Sequence, residues 1–323
     1  MDAARACLIA LELTGKTACP ADKEIQCLYA LSNRSDRHYR KIVLTKRSGG
    51  LRTLYAPDIL LKSVQRNILR NVLSLFPLSP FATAYREKCS TLDNASPHVA
   101  QSNVLKLDIE NFFDSITFFH VHRLFKKTEL PAAVVTLLTH LCCHRDVLPQ
   151  GAPTSPTISN LVMKRFDDVI GLWCQERDIV YTRYCDDMTF SGDFDARQVK
   201  NKVRGLLYDM GFTLNARKSR LITANQRQTV TGIVVNQKPQ LTRDIRRKLR
   251  QEVYFCQRFG VASHLVQTGD FNPQESPREQ RLRYLQSLQG KIAYLLQINP
   301  DDAEFQNARS AVRQLLKEES ASA

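Results

Sequence analysis

The stretch Tyr184-Cys185-Asp186-Asp187 lies between two β-rich runs, residues 179–184 and 188–191. This pattern predicts a β-hairpin that carries two adjacent carboxylates at its tip. Upstream, a short apolar strand is predicted at 103–109, and it carries Asp108 near its end. Adjacent carboxylates repel one another unless cations neutralise them. Because hard oxygen ligands suit Mg²⁺, we expect the three aspartates to hold two Mg²⁺ ions about 4 Å apart for in-line phosphoryl transfer, with Mn²⁺ as a substitute.

Four further motifs surround these aspartates. The Gly/Pro-rich loop 148–156 leads into an apolar helix and is suited to close approach by a nucleotide. The segment 211–218, which ends in Lys218, follows the acidic hairpin. The strings Asn94-Ala95-Ser96-Pro97-His98 and Val230-Thr231-Gly232 flank the whole set. Each string alone is a weak signal, whereas all of them in this order are seldom a coincidence.

In this order, the motifs resemble those of the reverse transcriptase palm. The strings at 94–98, 148–156 and 230–232 are similar to those of bacterial retron reverse transcriptases. The resemblance spans about residues 35–260. It implies an RNA-directed DNA polymerase that copies a dedicated structured RNA into single-stranded DNA. Priming from an RNA 2′-hydroxyl would give a branched RNA–DNA hybrid (msDNA), and the resemblance implies a role in anti-phage defence.

The predicted fold class is α+β, because the middle of the chain mixes strands and helices and the last third is helical. The resemblance implies a right-hand polymerase, in which an antiparallel sheet and helices form the palm. We expect an N-terminal helical segment at 1–33 and fingers at 34–102. The palm is expected at 103–238, with part of the fingers inserted at about 118–150. A helical, RNA-binding thumb is expected at 239–323.

The resemblance also implies roles for individual residues. Asp108, Asp186 and Asp187, with the backbone carbonyl of Ile109, would hold the metal. Lys218 would approach the leaving pyrophosphate, or else be a solvated lysine in a basic run. Nucleotide binding is expected of Lys46, Arg52, Phe113 and Gln150, and RNA binding of Asn94, His98, Val230, Thr231 and Gly232. The Phe113 ring would exclude a 2′-hydroxyl and select dNTPs, although core packing is an alternative.

The composition is that of a globular protein, with 43% hydrophobic and 24% charged residues, which excludes a wholly disordered or fibrous chain. The net charge of +14 points to a polyanionic partner, and its excess lies in the blocks 34–70 and 197–258. In the second block, a predicted helix places four arginines on one face without compensating acids. These are Arg243, Arg246, Arg247 and Arg250. They predict a grip on RNA phosphates, with a merely solvated helix as the alternative.

The nine cysteines are odd in number and lack Cys-x-x-Cys spacing, so neither a disulfide framework nor a zinc ribbon is indicated. The run Cys142-Cys143-His144 is interpreted as a helix end with buried thiols rather than as a set of metal ligands. We find neither a secretory signal nor an apolar run of bilayer length. The expected location is therefore the reducing cytoplasm, away from membranes.

The expected partners are a structured non-coding RNA, the RNA–DNA hybrid product, dNTPs and, by resemblance, an effector protein. A second acidic cluster for RNase H is not evident, so template removal would need the host RNase H. Two alternatives stay open. One is another bacterial reverse transcriptase, of the intron-encoded or abortive-infection type. The other is an RNA-binding scaffold without turnover, against which the intact set Asp108, Asp186 and Asp187 argues.

Overall fold

The computed structural model describes residues 3–15, 23–45 and 49–321. The chain divides into two compact units. The first comprises Met1–Ser90 and Ser102–Ile222, and the second comprises Thr91–Gln101 and Thr223–Ala323. The segment with the Asn94 and His98 motif therefore folds with the C-terminal part of the chain. The assignment of fingers, palm and thumb boundaries stays a prediction.

Helices make up most of the chain, and the strands are short. The helices are α1 (Ala3–Ala10), α2 (Glu24–Asn33), α3 (Ile59–Asn71), α4 (Thr91–Ala95), α5 (Phe112–Ser115), α6 (Phe118–Phe125), α7 (Ala132–Cys142), α8 (Ser155–Gln175), α9 (Ala196–Tyr208), α10 (Arg243–Phe259), α11 (Val261–Thr268), α12 (Pro277–Ile298) and α13 (Ala303–Ala321). The strands are β1 (Tyr39–Thr45), β2 (Leu51–Pro57), β3 (Asn103–Asp108), β4 (Val180–Tyr184), β5 (Asp187–Gly192), β6 (Arg220–Thr223), β7 (Thr229–Val230) and β8 (Ile233–Val234). The strands pair antiparallel as β1–β2, β3–β5, β4–β5 and β7–β8, as in an α+β fold. The α+β class and the helical C-terminal third are confirmed.

A four-stranded sheet with the order β4-β5-β3-β6 lies at the centre of the first unit. Strand β3 is antiparallel to β5, and the pairing runs from Asn103 opposite Gly192 to Asp108 opposite Asp187. Strand β4 is antiparallel to β5 through the hairpin predicted from the sequence. The register therefore fixes Asp108 beside the acidic hairpin before any side-chain contact is considered.

Helix α8 packs against this sheet and begins directly after the Gly/Pro-rich loop. Its buried residues recur at helical spacing, among them Ile158, Leu161, Ile170 and Cys174. Pro156 at the start of the helix has the fixed φ that a first turn requires. The apolar helix that the sequence predicts directly after this loop is therefore observed.

The N-terminal part of the first unit contains the hairpin β1–β2, which pairs from Tyr39 opposite Pro57 to Thr45 opposite Leu51. Asp58 caps α3, since its carboxylate accepts a hydrogen bond from the Leu61 amide at 2.9 Å.

The second unit is mainly helical, and a short hairpin of β7 and β8 precedes α10. Its turn residues, Thr231 and Gly232, have φ angles of +46° and +84°. Positive φ at both positions is the signature of a tight two-residue hairpin turn. Gly260 separates α10 from α11 at a φ of +81°, which a residue with a side chain rarely adopts.

The described cysteines only partly follow the sequence interpretation. Cys142 and Cys143 are free and buried at the end of α7, as expected. Cys27, in contrast, is disulfide-bonded, which the spacing of the cysteines did not indicate. None of the helices in the described ranges combines the length and hydropathy that a membrane span requires.

Gly171 and Gly205 provide a matched test of packing around α8 and α9. A Cβ atom at Gly171 would overlap the ring of Phe81, which itself lies against Tyr181. We expect Gly171→Ala to lower the free energy of unfolding by about 1–3 kcal/mol. At Gly205 a Cβ atom would meet no atom within 4 Å, so Gly205→Ala should raise this free energy by about 0.5–1 kcal/mol. Urea denaturation measures both, and equal stability of the two variants would contradict the packing.

Candidate active site

The acidic hairpin turns through Cys185 and Asp186, between the paired residues Tyr184 and Asp187. Cys185 has a φ of +62°, in the left-handed region that few residues with side chains occupy. Its thiol accepts a hydrogen bond from the Tyr85 hydroxyl at 3.4 Å, and burial raises the pKa of this thiol to about 12. Burial therefore disfavours the thiolate, which is the nucleophilic form of a cysteine.

A fully buried ion pair holds this turn. Nε of Arg183 donates to Oδ1 of Asp167 at 2.8 Å, and Nη2 donates to Oδ2 at 2.5 Å. Nη1 donates to the carbonyl oxygen of Cys185 at 2.8 Å, and Asn160 accepts a further bond from Nη2 at 3.2 Å. The Tyr181 hydroxyl donates to Asp167 at 2.8 Å. The guanidinium thus connects the hairpin tip directly to α8.

Electrostatics favour the charged form of Arg183. Burial lowers the pKa of the Arg183 guanidinium, but its contact with Asp167 outweighs this effect and raises the pKa overall. Neither Arg183 nor Asp167 was predicted from the sequence. A signal was present, because Asp167 lies four residues after Met163 and three before Ile170, on the apolar face of α8.

Three carboxylates converge at the ends of β3 and β5. Asp108 is the cross-strand partner of Asp187, and the carbonyl oxygen of Asp186 accepts a hydrogen bond from the Ile109 amide at 3.1 Å. Burial, followed by the negative charges of Asp186 and Asp108, raises the pKa of Asp187 to about 6. The cluster therefore holds more negative charge than its surroundings stabilise.

Lys218 supplies positive charge to this cluster. Its Nζ donates to Oδ1 of Asp108 at 2.7 Å, and this bond raises the pKa of the lysine. The preceding segment runs beside β3, since the Asn215 amide donates to the Asp108 carbonyl at 2.8 Å and the Glu110 amide to the Thr213 carbonyl at 2.8 Å. The four residues predicted to be catalytic therefore lie together.

The residues predicted to bind nucleotide have separate surroundings. Arg52 is exposed on β2, opposite Leu44. The backbone carbonyl of Gln150 accepts a hydrogen bond from the Tyr55 amide at 2.8 Å, so the Gly/Pro-rich loop lies against the β1–β2 hairpin. Phe113 is buried, 8% exposed, with its ring edge-on to a neighbouring phenylalanine. Lys46 lies outside the described residues.

The residues predicted to bind RNA differ in exposure. The side chains of Asn94, His98 and Val230 are buried, and burial lowers the pKa of His98 to about 4. Gly232 is exposed, and the Thr231 hydroxyl donates to the carbonyl oxygen of Thr91 at 3.0 Å. Of these five residues, only the two in the turn of the β7–β8 hairpin are therefore accessible to RNA.

The four arginines of α10 do not form a uniform basic face. Arg246 pairs with Asp302 at 2.7 Å, and Arg250 forms a two-bond pair with Glu304. The expectation that this helix lacks compensating acids is wrong for these two residues, because acids after α12 fold back onto them. Arg243 and Arg247 make no ion pair with any of the residues that the structure describes. They line a cavity of about 990 Å³.

Comparisons with known proteins assign the family. The sequence model described as "Reverse transcriptase (RNA-dependent DNA polymerase)" matches residues 44–251. The retron Ec86 reverse transcriptase of Escherichia coli is 31% identical over 250 residues, which are 75% of this chain and 78% of that protein. The retron Mx65 reverse transcriptase of Myxococcus xanthus is 33% identical over 290 residues, which are 83% of this chain and 63% of that protein. The chain therefore belongs to the reverse transcriptase family and, within it, to the bacterial retron reverse transcriptases.

The family makes the protein an RNA-directed DNA polymerase with a right-hand polymerase fold. Among solved structures, a telomerase from Candida albicans in complex with a fragment of telomeric RNA covers 94% of this chain. The two proteins share 9% sequence identity, and the TM-score of the superposition is 0.48.

Polymerases of this family depend on a divalent metal ion, and the oxygen donors at this site are of the type that such an ion prefers. Three aspartates supply carboxylate oxygens, and the Ile109 carbonyl accepts no hydrogen bond within the part of the chain that the structure describes. However, no three His, Cys, Asp or Glu side chains of the described residues are arranged as a metal site. Lys218 contacts Asp108 instead.

Asp167→Asn tests the buried ion pair and removes one charge at nearly constant volume. Because Arg183 would be left buried without its counterion, we expect the free energy of unfolding to fall by about 3–5 kcal/mol. The matched control is Asp168→Asn, which breaks the half-exposed pair with Lys164 on the same helix. That change should lower the free energy by less than about 0.5 kcal/mol. Thermal and urea denaturation measure both, and similar losses would contradict the central role of Asp167.

Proposed function

We propose that this RNA-directed DNA polymerase copies a dedicated structured non-coding RNA into single-stranded DNA. Priming from a 2′-hydroxyl of that RNA yields a branched RNA–DNA hybrid, msDNA. The observation that carries the proposal is that both retron-like motifs belong to one unit. Thr231, in the Val-Thr-Gly turn, is hydrogen-bonded to Thr91, at the start of the segment with Asn94 and His98. The similarity to curated retron reverse transcriptases supports it further.

In this proposal, Asp108, Asp186, Asp187 and the Ile109 carbonyl hold two Mg²⁺ ions, for which Mn²⁺ substitutes. The ions would supply charge stabilisation for phosphoryl transfer. Lys218 approaches the leaving pyrophosphate.

The remaining roles concern the incoming nucleotide. Lys46 and Arg52 contact the triphosphate, and the guanidinium of Arg52, exposed on the β1–β2 hairpin, matches phosphate geometry. Gln150 contacts the sugar. Phe113 excludes a 2′-hydroxyl and so selects dNTPs over rNTPs.

The wider biological role follows from the family resemblance. We propose that the enzyme acts in the cytoplasm together with an effector protein in anti-phage defence. Host RNase H would remove the copied template, because the chain shows no second acidic cluster in its sequence for that activity. Reading the neighbouring genes for an inverted-repeat RNA and an effector would test this setting.

The double change Asp186→Asn and Asp187→Asn should abolish DNA synthesis, because it removes two metal ligands. The fold should persist, since the raised pKa of Asp187 shows that its ionised form is disfavoured there, and a neutral amide relieves repulsion. The control is Glu110→Gln with Asp114→Asn, which neutralises two nearby exposed acids. Primer extension with Mg²⁺ or Mn²⁺ and thermal unfolding are the measurements. Synthesis by the first variant at the wild-type rate would refute the ligand assignment.

Arg243→Ala with Arg247→Ala tests the RNA grip. These two arginines lack acidic partners among the described residues, so their loss should weaken binding to all structured RNAs and reduce the salt dependence by about two phosphate contacts. The matched pair, Arg246→Ala with Arg250→Ala, should chiefly lower thermal stability, because it breaks ion pairs to Asp302 and Glu304. Filter binding at several salt concentrations separates the two effects. Unchanged RNA binding by the first variant would mean that α10 is a solvated charged helix and does not bind RNA.

Gly232→Asn tests initiation. Asparagine tolerates positive φ, and a Cβ atom at this position meets nothing within 4 Å, so the turn should persist. The added side chain would block close approach of the RNA to the turn. We expect extension of an annealed DNA primer to be spared and self-primed synthesis on the dedicated RNA to fall at least tenfold. Equal losses in both assays would show that the turn is only structural.

A further inference from the structure

The contact between Lys218 and Asp108 joins an exposed side chain to a buried one. The Asp108 side chain is 5% exposed and is fixed at the end of a central strand, whereas the Lys218 side chain is 60% exposed. The backbone around the lysine is fixed as well, because the Asn215 amide donates to the Asp108 carbonyl and the Lys218 amide to the Asn215 carbonyl. Only the lysine side chain is therefore free to change position without moving β3.

The ammonium group of Lys218 lies where it would compete with a metal ion for the Asp108 carboxylate. Nζ lies 2.7 Å from Oδ1 of Asp108, and the proposed function assigns this carboxylate to the metal. In this arrangement, the three aspartates do not form a metal site, as found above for the described residues. A divalent ion on Asp108 would repel an ammonium held on the same carboxylate, because like charges about 4 Å apart interact strongly in a partly buried site.

We propose that Lys218 is an exchangeable cation: it neutralises Asp108 in the metal-free enzyme, and the divalent metal displaces it. The released ammonium stays tethered beside the site, where it becomes available to the phosphates only once metal has bound. Metal loading and the readiness of Lys218 are thereby coupled in one event. The inference rests on the proposal that these aspartates are the metal ligands.

Lys106 provides the control for a general charge effect. It lies on β3, its charge acts on Asp187, and its side chain makes no hydrogen bond or ion pair within the described ranges. Lys106→Ala thus removes the same charge near the same carboxylates as Lys218→Ala, but breaks no bond to Asp108. The difference between the two variants isolates the displacement of a bonded cation from ordinary electrostatic attraction.

The first experiment measures Mn²⁺ binding to the full-length protein by electron paramagnetic resonance, without RNA or nucleotide. Lys218→Ala should raise the affinity about fivefold, because the metal no longer displaces a bonded cation. Lys106→Ala should raise it less than about twofold. An affinity for Lys218→Ala that is no higher than that of Lys106→Ala overturns the exchange. If the wild-type protein binds no Mn²⁺, the ligand assignment itself fails, and the exchange fails with it.

The second experiment follows thermal unfolding and does not depend on activity. In EDTA, Lys218→Ala should unfold at a lower temperature than wild type, and the loss should disappear in the Asp108→Asn background, where no carboxylate awaits compensation. Saturating Mn²⁺ should raise the unfolding temperature of Lys218→Ala more than that of wild type. An equal loss with EDTA and with Mn²⁺ would mean that the ammonium stays on Asp108, and this would overturn the exchange.

Discussion

The arrangement of the active site depends on the buried ion pair between Arg183 and Asp167. Removing both charges from water is costly, and only complete hydrogen bonding makes such a pair tolerable. Here the guanidinium also donates to the Cys185 carbonyl, which belongs to a turn in an unfavourable backbone region. The pair therefore fixes the turn to α8, and the sheet register then sets Asp187 beside Asp108. The arrangement of the three proposed metal ligands is thus maintained by groups outside the proposed chemistry.

Crowding of carboxylates is the second constraint, and it opposes the first. Packing brings Asp186, Asp187 and the buried Asp108 together, and desolvation and mutual repulsion raise the pKa of Asp187. A fold can satisfy such a cluster by protonation or with a cation. The exposed side chain of Lys218 supplies such a cation at Asp108. The buried pair at Arg183 therefore fixes the turn, whereas the exposed ammonium of Lys218 neutralises a carboxylate.

The sequence predicted those features that depend on local patterns. The β-rich runs on either side of residues 185–187 predicted the acidic hairpin, and the apolar pattern after the Gly/Pro-rich loop predicted α8. The partner of Arg183 was missed, because an arginine on a strand does not reveal which helix packs over it. The pairing of Arg246 and Arg250 was missed for a similar reason, since their acids lie more than fifty residues later in the chain. Local periodicity fixes elements, whereas ion pairs between elements appear only with tertiary structure.

The motifs that resemble retron enzymes show how distant strings become one structural feature. Thr91–Gln101 precedes the catalytic strand in the sequence, yet it folds with the C-terminal unit. Several bonds hold it there: the Thr231 hydroxyl donates to the Thr91 carbonyl, the Ala100 amide to the Val235 carbonyl and the Gln228 side chain to the Gln101 carbonyl, and the Thr91 hydroxyl is bonded to that of Tyr294. Because Asn94 and His98 are buried within this segment, they are better suited to shape the Val-Thr-Gly turn than to touch RNA. The selectivity proposed for this turn thus derives from two stretches more than a hundred residues apart, neither of which contains a catalytic carboxylate.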